Sequence, residues 1–172
     1  MSIPLFQVDA FSSKPFRGNP AAVCLLEKEP AADWMQAVAA EMNLSETAFL
    51  VPKESGIYGL RWFTPTTEVE LCGHATLAAA HVLYETGAMS RSEPIGFDTA
   101  SGRLTCSPGK AGWIAMDFPA KEVTPIDAPD GLEEALGAKA QSVHRSRTDL
   151  LVEVDSEKTL RSLRPDFGML KP

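Results

Sequence analysis

Apolar and polar positions along the chain cluster, alternate and break in a pattern that lays out most of its elements. Leu5 to Phe11 alternates in part, between Pro4 and Ser12-Ser13, and predicts a strand. Lys14-Pro15-Phe16-Arg17-Gly18-Asn19-Pro20 is dense in turn formers, and the apolar run Ala21 to Leu26 behind it predicts a second strand. Trp34, Val38 and Met42 recur at a spacing of four after Asp33, which predicts a helix with that aspartate as its cap. Asn43 to Thr47 breaks the helix, Ala48 to Val51 resumes as a strand ending at Pro52, and Gly59 to Phe63 adds another.

The stretch Thr64 to Glu85, TPTTEVELCGHATLAAAHVLYE, carries the strongest helix signal in the chain. Its Ala/Leu-rich run holds strong helix formers and no Gly or Pro, so residues 74–85 read as a buried central helix with Gly87 suited to its C-terminal end. Ile95 to Thr99, Gly102 to Ser107 and Gly112 to Phe118 then read as three short strands joined by glycine-containing turns. Strands wrapped about one apolar helix place residues 1–118 in an α+β first domain.

Pro119 to Gly131 holds three prolines and reads as a linker. Beyond it a short helix is expected over Leu132 to Leu136, strands over Ala140 to Arg145 and Leu150 to Val154, and a helix over Glu157 to Leu163 with Ser156 as N-cap. Residues 132–172 are too few for a core of their own, so they read as the beginning of a second domain.

Composition narrows the partners. Sixteen Lys+Arg against 23 Asp+Glu leave a net charge of -7 with no basic block, which argues against nucleic acid and anionic membranes. No apolar run reaches membrane-spanning length, and MSIPLFQVDAF lacks the pattern of a secretory leader. Cys24, Cys72 and Cys106 are odd in number and far apart, which predicts reduced thiols, a cytoplasmic location and no structural metal site.

Candidate chemistry gathers at the mouth of the central helix. Gly73 there lets a ligand approach the backbone, and the first amides of a helix have no intrahelical partner, so they suit a carboxylate or phosphate. The plainer alternative is that Gly73 serves a tight entry turn. Glu46 lies between a helix and a strand among apolar neighbours; burial would favour its protonated form and fit it for proton transfer, whereas a solvated turn would leave it idle. Cys72, just before a helix start, is an alternative nucleophile or acid/base thiol, or simply a small core residue. His74 is placed to bind substrate or pass a proton. His81 on the same helix reads as a core residue, and the pair's spacing does not make a metal site. Glu68 and Glu70 share a face of an extended segment without a catalytic link, and no hydrolase triad is evident.

Five motifs in order, VDAF at Val8, GNPAAV at Gly18, NLSETAF at Asn43, LRWFTPTTEVELCGHATLAAAHVL at Leu60 and DLLVEVDS at Asp149, resemble the phenazine-biosynthesis PhzF-like isomerase family along the whole chain. The resemblance implies a diaminopimelate-epimerase-like fold: two similar domains, each a mixed sheet curled around a central helix. It implies a cofactor-independent isomerase, often a homodimer, acting on a small anionic substrate; the family's characterised member isomerises a dihydro-hydroxyanthranilic acid. Residue by residue, it places proton transfer on Glu46 and substrate contact on Gly73 and His74, with Asn19 of the GNP loop as a neighbour. The family's second motif, of the type EDPVTGSAH, does not occur in these 172 residues, so the second domain is expected to be incomplete and the chain alone inactive or impaired. Two other readings stand beside it. One is a racemase or epimerase using Cys72, although diaminopimelate epimerases follow their cysteine with Gly-Asn where this chain has Gly73-His74. The other is a catalytically silent binding protein that keeps the fold.

Overall fold

The computed structural model describes residues 2–170; Met1 and the Lys171-Pro172 that close the expected second domain lie outside the described residues. Contacts group the chain into two units, Met1–Phe118 and Pro119–Pro172.

The first unit is a mixed sheet in the order β1 (Leu5–Ala10), β2 (Asn19–Leu25), β3 (Glu46–Glu54), β4 (Ile57–Phe63), β6 (Ile95–Thr99), β7 (Gly102–Pro108) and β8 (Ile114–Asp117), with β5 (Glu68–Val69) pairing to β4. Neighbours run antiparallel except β2 with β3 and β4 with β6. Each parallel step spans a helical crossover: α1 (Ala32–Met42) between β2 and β3, and α2 (Gly73–Glu85) between β4 and β6. Helix α2 packs against β1, β2, β3 and also β8. Strands from both ends of the sheet can reach one helix only if the sheet curls around it, which makes the unit a half-barrel with α2 as its filling.

Alternation along each strand sorts the two faces. Ala21, Val23, Ala48, Leu50, Leu60 and Trp62 point into the α2 core, while Cys24, Leu26, Phe49 and Phe63 pack on Met35 and Ala39 of α1. Nine of the thirteen residues of α2 are buried, so its alanines let the surrounding strands approach closely while Val82, Leu83 and Tyr84 add bulk to the same core. Each large apolar side chain so buried contributes about 1.5–3 kcal/mol.

Several boundaries differ from the sequence pattern. Ala31 takes the N-cap of α1 and Asp33 sits in the first turn, where the helix dipole still favours it. The buried stripe is Met35 and Ala39 instead of Trp34, which lies at the exposed margin, edge-on to Phe49 at 6.1 Å. Strand β3 runs through Pro52 to Glu54, a register shift between Pro52 and Glu54 absorbing the missing donor. Strand β8 starts at Ile114 because a single 3-10 turn occupies Lys110–Gly112. Asn19 opens β2 opposite Ala10 and is not a loop residue. The turn before it needs Gly18, since a Cβ there would lie 2.4 Å from the Ala10 carbonyl oxygen.

The second unit is a three-stranded antiparallel sheet, β11 (Leu150–Glu153), β10 (Ser142–Arg145) and β9 (Thr124–Ile126), with α3 (Leu132–Leu136) and α4 (Glu157–Ser162). Strand β9 lies inside the proline-rich stretch read as linker: Pro125 is accommodated on an edge strand, where its missing N–H costs no ladder bond. Ser156 caps α4 by accepting from the Thr159 amide. Leu132, Ala135 and Val143 are its buried apolar residues among those described.

Candidate active site

Glu46 is the first residue of β3 and shares the face of Ala48 and Leu50, so its side chain projects toward α2. Parallel pairing sets it beside Ala21, two residues into β2 from Asn19. Residues 64–67 turn the chain from β4 toward β5, with Thr64 Oγ1 accepting from the Thr66 and Thr67 amides at 3.2 and 3.0 Å. Arg61 then clamps the turn by a two-pronged contact with Glu68 at 2.7 Å and a further one with Glu29 at 2.7 Å. The guanidinium holds the Glu68 carboxyl below its usual range, so Glu68 is a structural anchor in this arrangement. Ser101 Oγ donates to the Glu70 carbonyl at 2.8 Å, fixing the last residues before the helix.

Helix α2 begins at Gly73 with Cys72 in extended conformation as its N-cap. Thr76 makes the first intrahelical bond, its amide reaching the Cys72 carbonyl at 3.2 Å while its own Oγ1 donates to that carbonyl at 2.6 Å. The amides of Gly73, His74 and Ala75 precede it and have no carbonyl partner within the helix; those of His74 and Ala75 point toward the Cys72 sulfur. A Cβ built on Gly73 meets nothing within 4 Å, and its φ is not positive. Neither backbone geometry nor crowding within the chain therefore demands glycine there; the vacant space opens the backbone to a ligand.

Three of the candidate residues converge. Glu46 Oε2 lies 3.3 Å from His74 Nε2, and His74 Nδ1 lies 3.4 Å from Cys72 Sγ. The side chains of His74 and Glu46 are 9% and 20% exposed. Despite their closeness, Glu46 Oε2 and His74 Nε2 are not aligned for a hydrogen bond with each other and neither atom has a well-formed one elsewhere, while the Cys72 thiol lies near enough to feel the Glu46 carboxyl. Two buried polar atoms without partners in the same small space are costly for the fold and are the kind of feature that a bound group repairs.

The thiol tells a different story from the helix-start expectation. Burial pushes the Cys72 thiol from an ordinary 9.0 to about 12, and the neighbouring Glu46 carboxylate adds to the shift. The Ala75 and His74 amides pull the other way, and desolvation outweighs them. Cys72 is thus held as a neutral thiol near neutral pH. His81 stands apart, with a side chain 46% exposed and paired to Glu85 at 3.9 Å, so it is not the core residue its helix suggested. Asn19 is exposed at the start of β2, on the same end of the sheet as Glu46. Thr76 escaped notice in the sequence, although a threonine four residues after a cap position is a recurrent back-bonding pattern. The meeting of Cys72 with Glu46 had no signal in sequence, since 26 positions separate them and the packing of α2 against β3 brings them together.

A family model described as phenazine biosynthesis-like protein (PhzC-PhzF) matches residues 8–171. Two curated relatives, an uncharacterized isomerase of Halalkalibacterium halodurans and another of Pseudomonas aeruginosa, are each 51% identical to this chain over 99% of its length. The match covers 64% of each relative, so the chain spans less than two thirds of their length. A solved structure described as a phenazine biosynthesis protein of the PhzF family, from Enterococcus faecalis, is 44% identical with a TM-score of 0.88, covering 99% of this chain and 64% of its own. A probable proline racemase from Agrobacterium radiobacter, 15% identical with a TM-score of 0.55 over 90% of this chain and 52% of its own, shares the fold alone. The curled mixed sheet about α2 is accordingly the diaminopimelate-epimerase-like fold. From residue 8 to residue 171, the chain belongs to the phenazine biosynthesis-like (PhzC/PhzF) family.

Proposed function

We propose that the chain is an isomerase that moves a proton between carbons of a small carboxylate substrate, with Glu46 as general acid and base. The observation that carries this reading is the buried, unpartnered Glu46 Oε2 facing the amide-lined mouth of α2. The naming of its relatives as isomerases supports it. The Gly73, His74 and Ala75 amides would take the substrate carboxylate, aided by the helix dipole, and Asn19 would flank the same end. Glu46 then removes a proton from a substrate carbon, the C–H electron pair forms a new double bond to the adjoining carbon, the former double bond's π pair shifts to the far carbon, and the new carboxylic acid returns the proton there. Proton and electrons balance within one substrate, so the step calls for no cofactor.

A thiol-based epimerase using Cys72 is the second reading, and the neutral, buried state of that thiol weighs against it. The reading places the enzyme in a reducing cytoplasm, which suits three free buried cysteines, and carries over homodimer assembly from the family resemblance. Because the relatives are longer than the matched span, turnover by these 172 residues is proposed to fall below that of a full-length relative.

The test is exchange with deuterated water. The chain is incubated in it with a dihydro-hydroxyanthranilic acid and with small amino-acid-like carboxylates, and carbon-bound deuterium is read by NMR. Incorporation at one substrate carbon supports the reading; none with any of these probes overturns it, and leaves the silent binding protein as the better account.

A further inference from the structure

The side chains of Glu46, Cys72 and His74 form an arrangement that proton transfer by a lone carboxylate does not require. One donor atom from each lies within 4.8 Å of the other two. We propose that these three residues form an inhibitory site for a soft divalent cation of the Zn2+ class. The inhibition rests on the reading of Glu46 as the proton-transferring group; the binding does not.

Four observations carry the site. Glu46 Oε2 and His74 Nε2 stand 3.3 Å apart, close to the roughly 3.4 Å between two oxygen or nitrogen donors sharing one tetrahedral ion at bond lengths of about 2.0–2.1 Å. Both atoms are buried with no hydrogen-bond partner, so an ion would satisfy two groups that the fold leaves unsatisfied. The donor set of thiolate, imidazole and carboxylate is soft enough to prefer zinc or cobalt over magnesium or calcium. Finally, Thr76 Oγ1 grips the Cys72 carbonyl at 2.6 Å, which fixes the backbone that presents the sulfur; Cys72 Sγ rests 3.4 Å from His74 Nδ1 and reaches an ion on Nε2 by turning about its own Cα–Cβ bond.

Charge decides whether such an ion is tolerable out of water. Binding replaces the Cys72 S–H bond by a sulfur–metal bond and releases the proton to solvent. Thiolate and carboxylate then contribute two negative charges, the imidazole stays neutral, and the occupied site is neutral overall. The positive end of α2 disfavours a bare cation, but it favours the two anionic ligands that accompany this one. Three protein ligands leave a fourth position for water or a substrate carboxylate. An ion seated there occupies the oxygen that must accept the substrate proton, so catalysis stops while it is bound.

The test uses Co2+ as a spectroscopic substitute on chelator-stripped protein. The expected result is one tightly held Co2+ per chain with a thiolate-to-cobalt charge-transfer band, displaced by Zn2+ and not by Mg2+. C72S should lose that band. H74A and E46Q should each weaken Co2+ binding at least tenfold, and H81A should bind within twofold of the parent chain. Far-UV circular dichroism checks that each variant is folded, and C72A serves if C72S is not. Absence of the band, its survival in C72S or C72A, or parental affinity in H74A would overturn the proposal. Deuterium exchange run with and without Zn2+ keeps the two readings apart. A cobalt band without any exchange removes the isomerase and leaves the cation site; exchange without a band removes the cation site and leaves the isomerase; exchange that continues at full rate with Zn2+ bound removes the inhibition.

Discussion

Glu46 Oε2 and His74 Nε2 face each other at 3.3 Å across the gap between the start of β3 and the first turn of α2, buried and without other partners. Two such groups are coupled through the same desolvated space, so the effect of removing both should differ from the sum of removing each. A double-mutant cycle with E46Q and H74Q should return an interaction energy of about 1–3 kcal/mol in urea unfolding. Additivity within about 0.5 kcal/mol would mean the two side chains do not share a site.

Gly73 separates a structural from a ligand-binding use of the helix mouth. Its backbone needs no glycine and the place of a Cβ is open, so G73A should be at least as stable as the parent, by up to about 1 kcal/mol from helix propensity. The added methyl would stand where the ligand approaches. KM for an exchanging carboxylate should rise several-fold while the fold is unchanged, and a G73A chain with unaltered KM would show that the amides hold no substrate.

The buried thiols give the chain an alkaline weakness. Burial holds Cys24 at about 11 and Cys72 and Cys106 at about 12, against 9.0 in an exposed thiol. Above pH 9 the unfolded chain releases these protons and the folded chain keeps them, so the unfolded state binds fewer protons and stability falls as pH rises. The contribution is fully present below pH 9 and is lost on the way to pH 11–12, at roughly 1.4 kcal/mol per pH unit for each thiol. Denaturant midpoints measured from pH 8 to 10.5 should drop, and C106A should flatten the slope. A midpoint that holds steady or rises over that range would contradict the burial of these groups.

The second unit should not stand alone. Leu132, Ala135 and Val143 are its buried apolar residues among those described, while Leu150, Leu151 and Leu160 are exposed. A core of three side chains cannot offset the ordering of about fifty residues. Expressed as residues 119–172, it should show no cooperative thermal transition by circular dichroism; a sharp transition would refute this.

Local chemistry explains what was legible in the sequence. Helix α2 could be read because its alanine-rich run lacks any breaker, and Ser156 because a serine before a short polar helix has one obvious use. Asp33 misled because an acidic residue serves equally as a cap or in the first turn, and only backbone geometry distinguishes them. Trp34 misled because it shares a spacing of four with Val38 and Met42, whereas the face of α1 that packs on Phe49 and Phe63 is centred on Met35 and Ala39 with Val38 at its side. Strand β9 hid behind Pro125, which reads as linker until a neighbouring strand shows it to be an edge. At the site, Glu46 and His74 could each be singled out from flanking residues. Their approach to one another, and to Cys72, depends on the parallel pairing of β2 with β3 and on the curl that seats α2 against both. No local pattern encodes that.

Proton transfer by Glu46 is tested most directly by deuterium incorporation into a responsive carboxylate, compared in the parent chain, E46Q and C72A. With Glu46 as the transferring group, E46Q should lower the exchange rate by about 10²–10⁴-fold while C72A stays within a few-fold of the parent. Exchange that survives E46Q and disappears in C72A would contradict the account and assign the chemistry to the thiol.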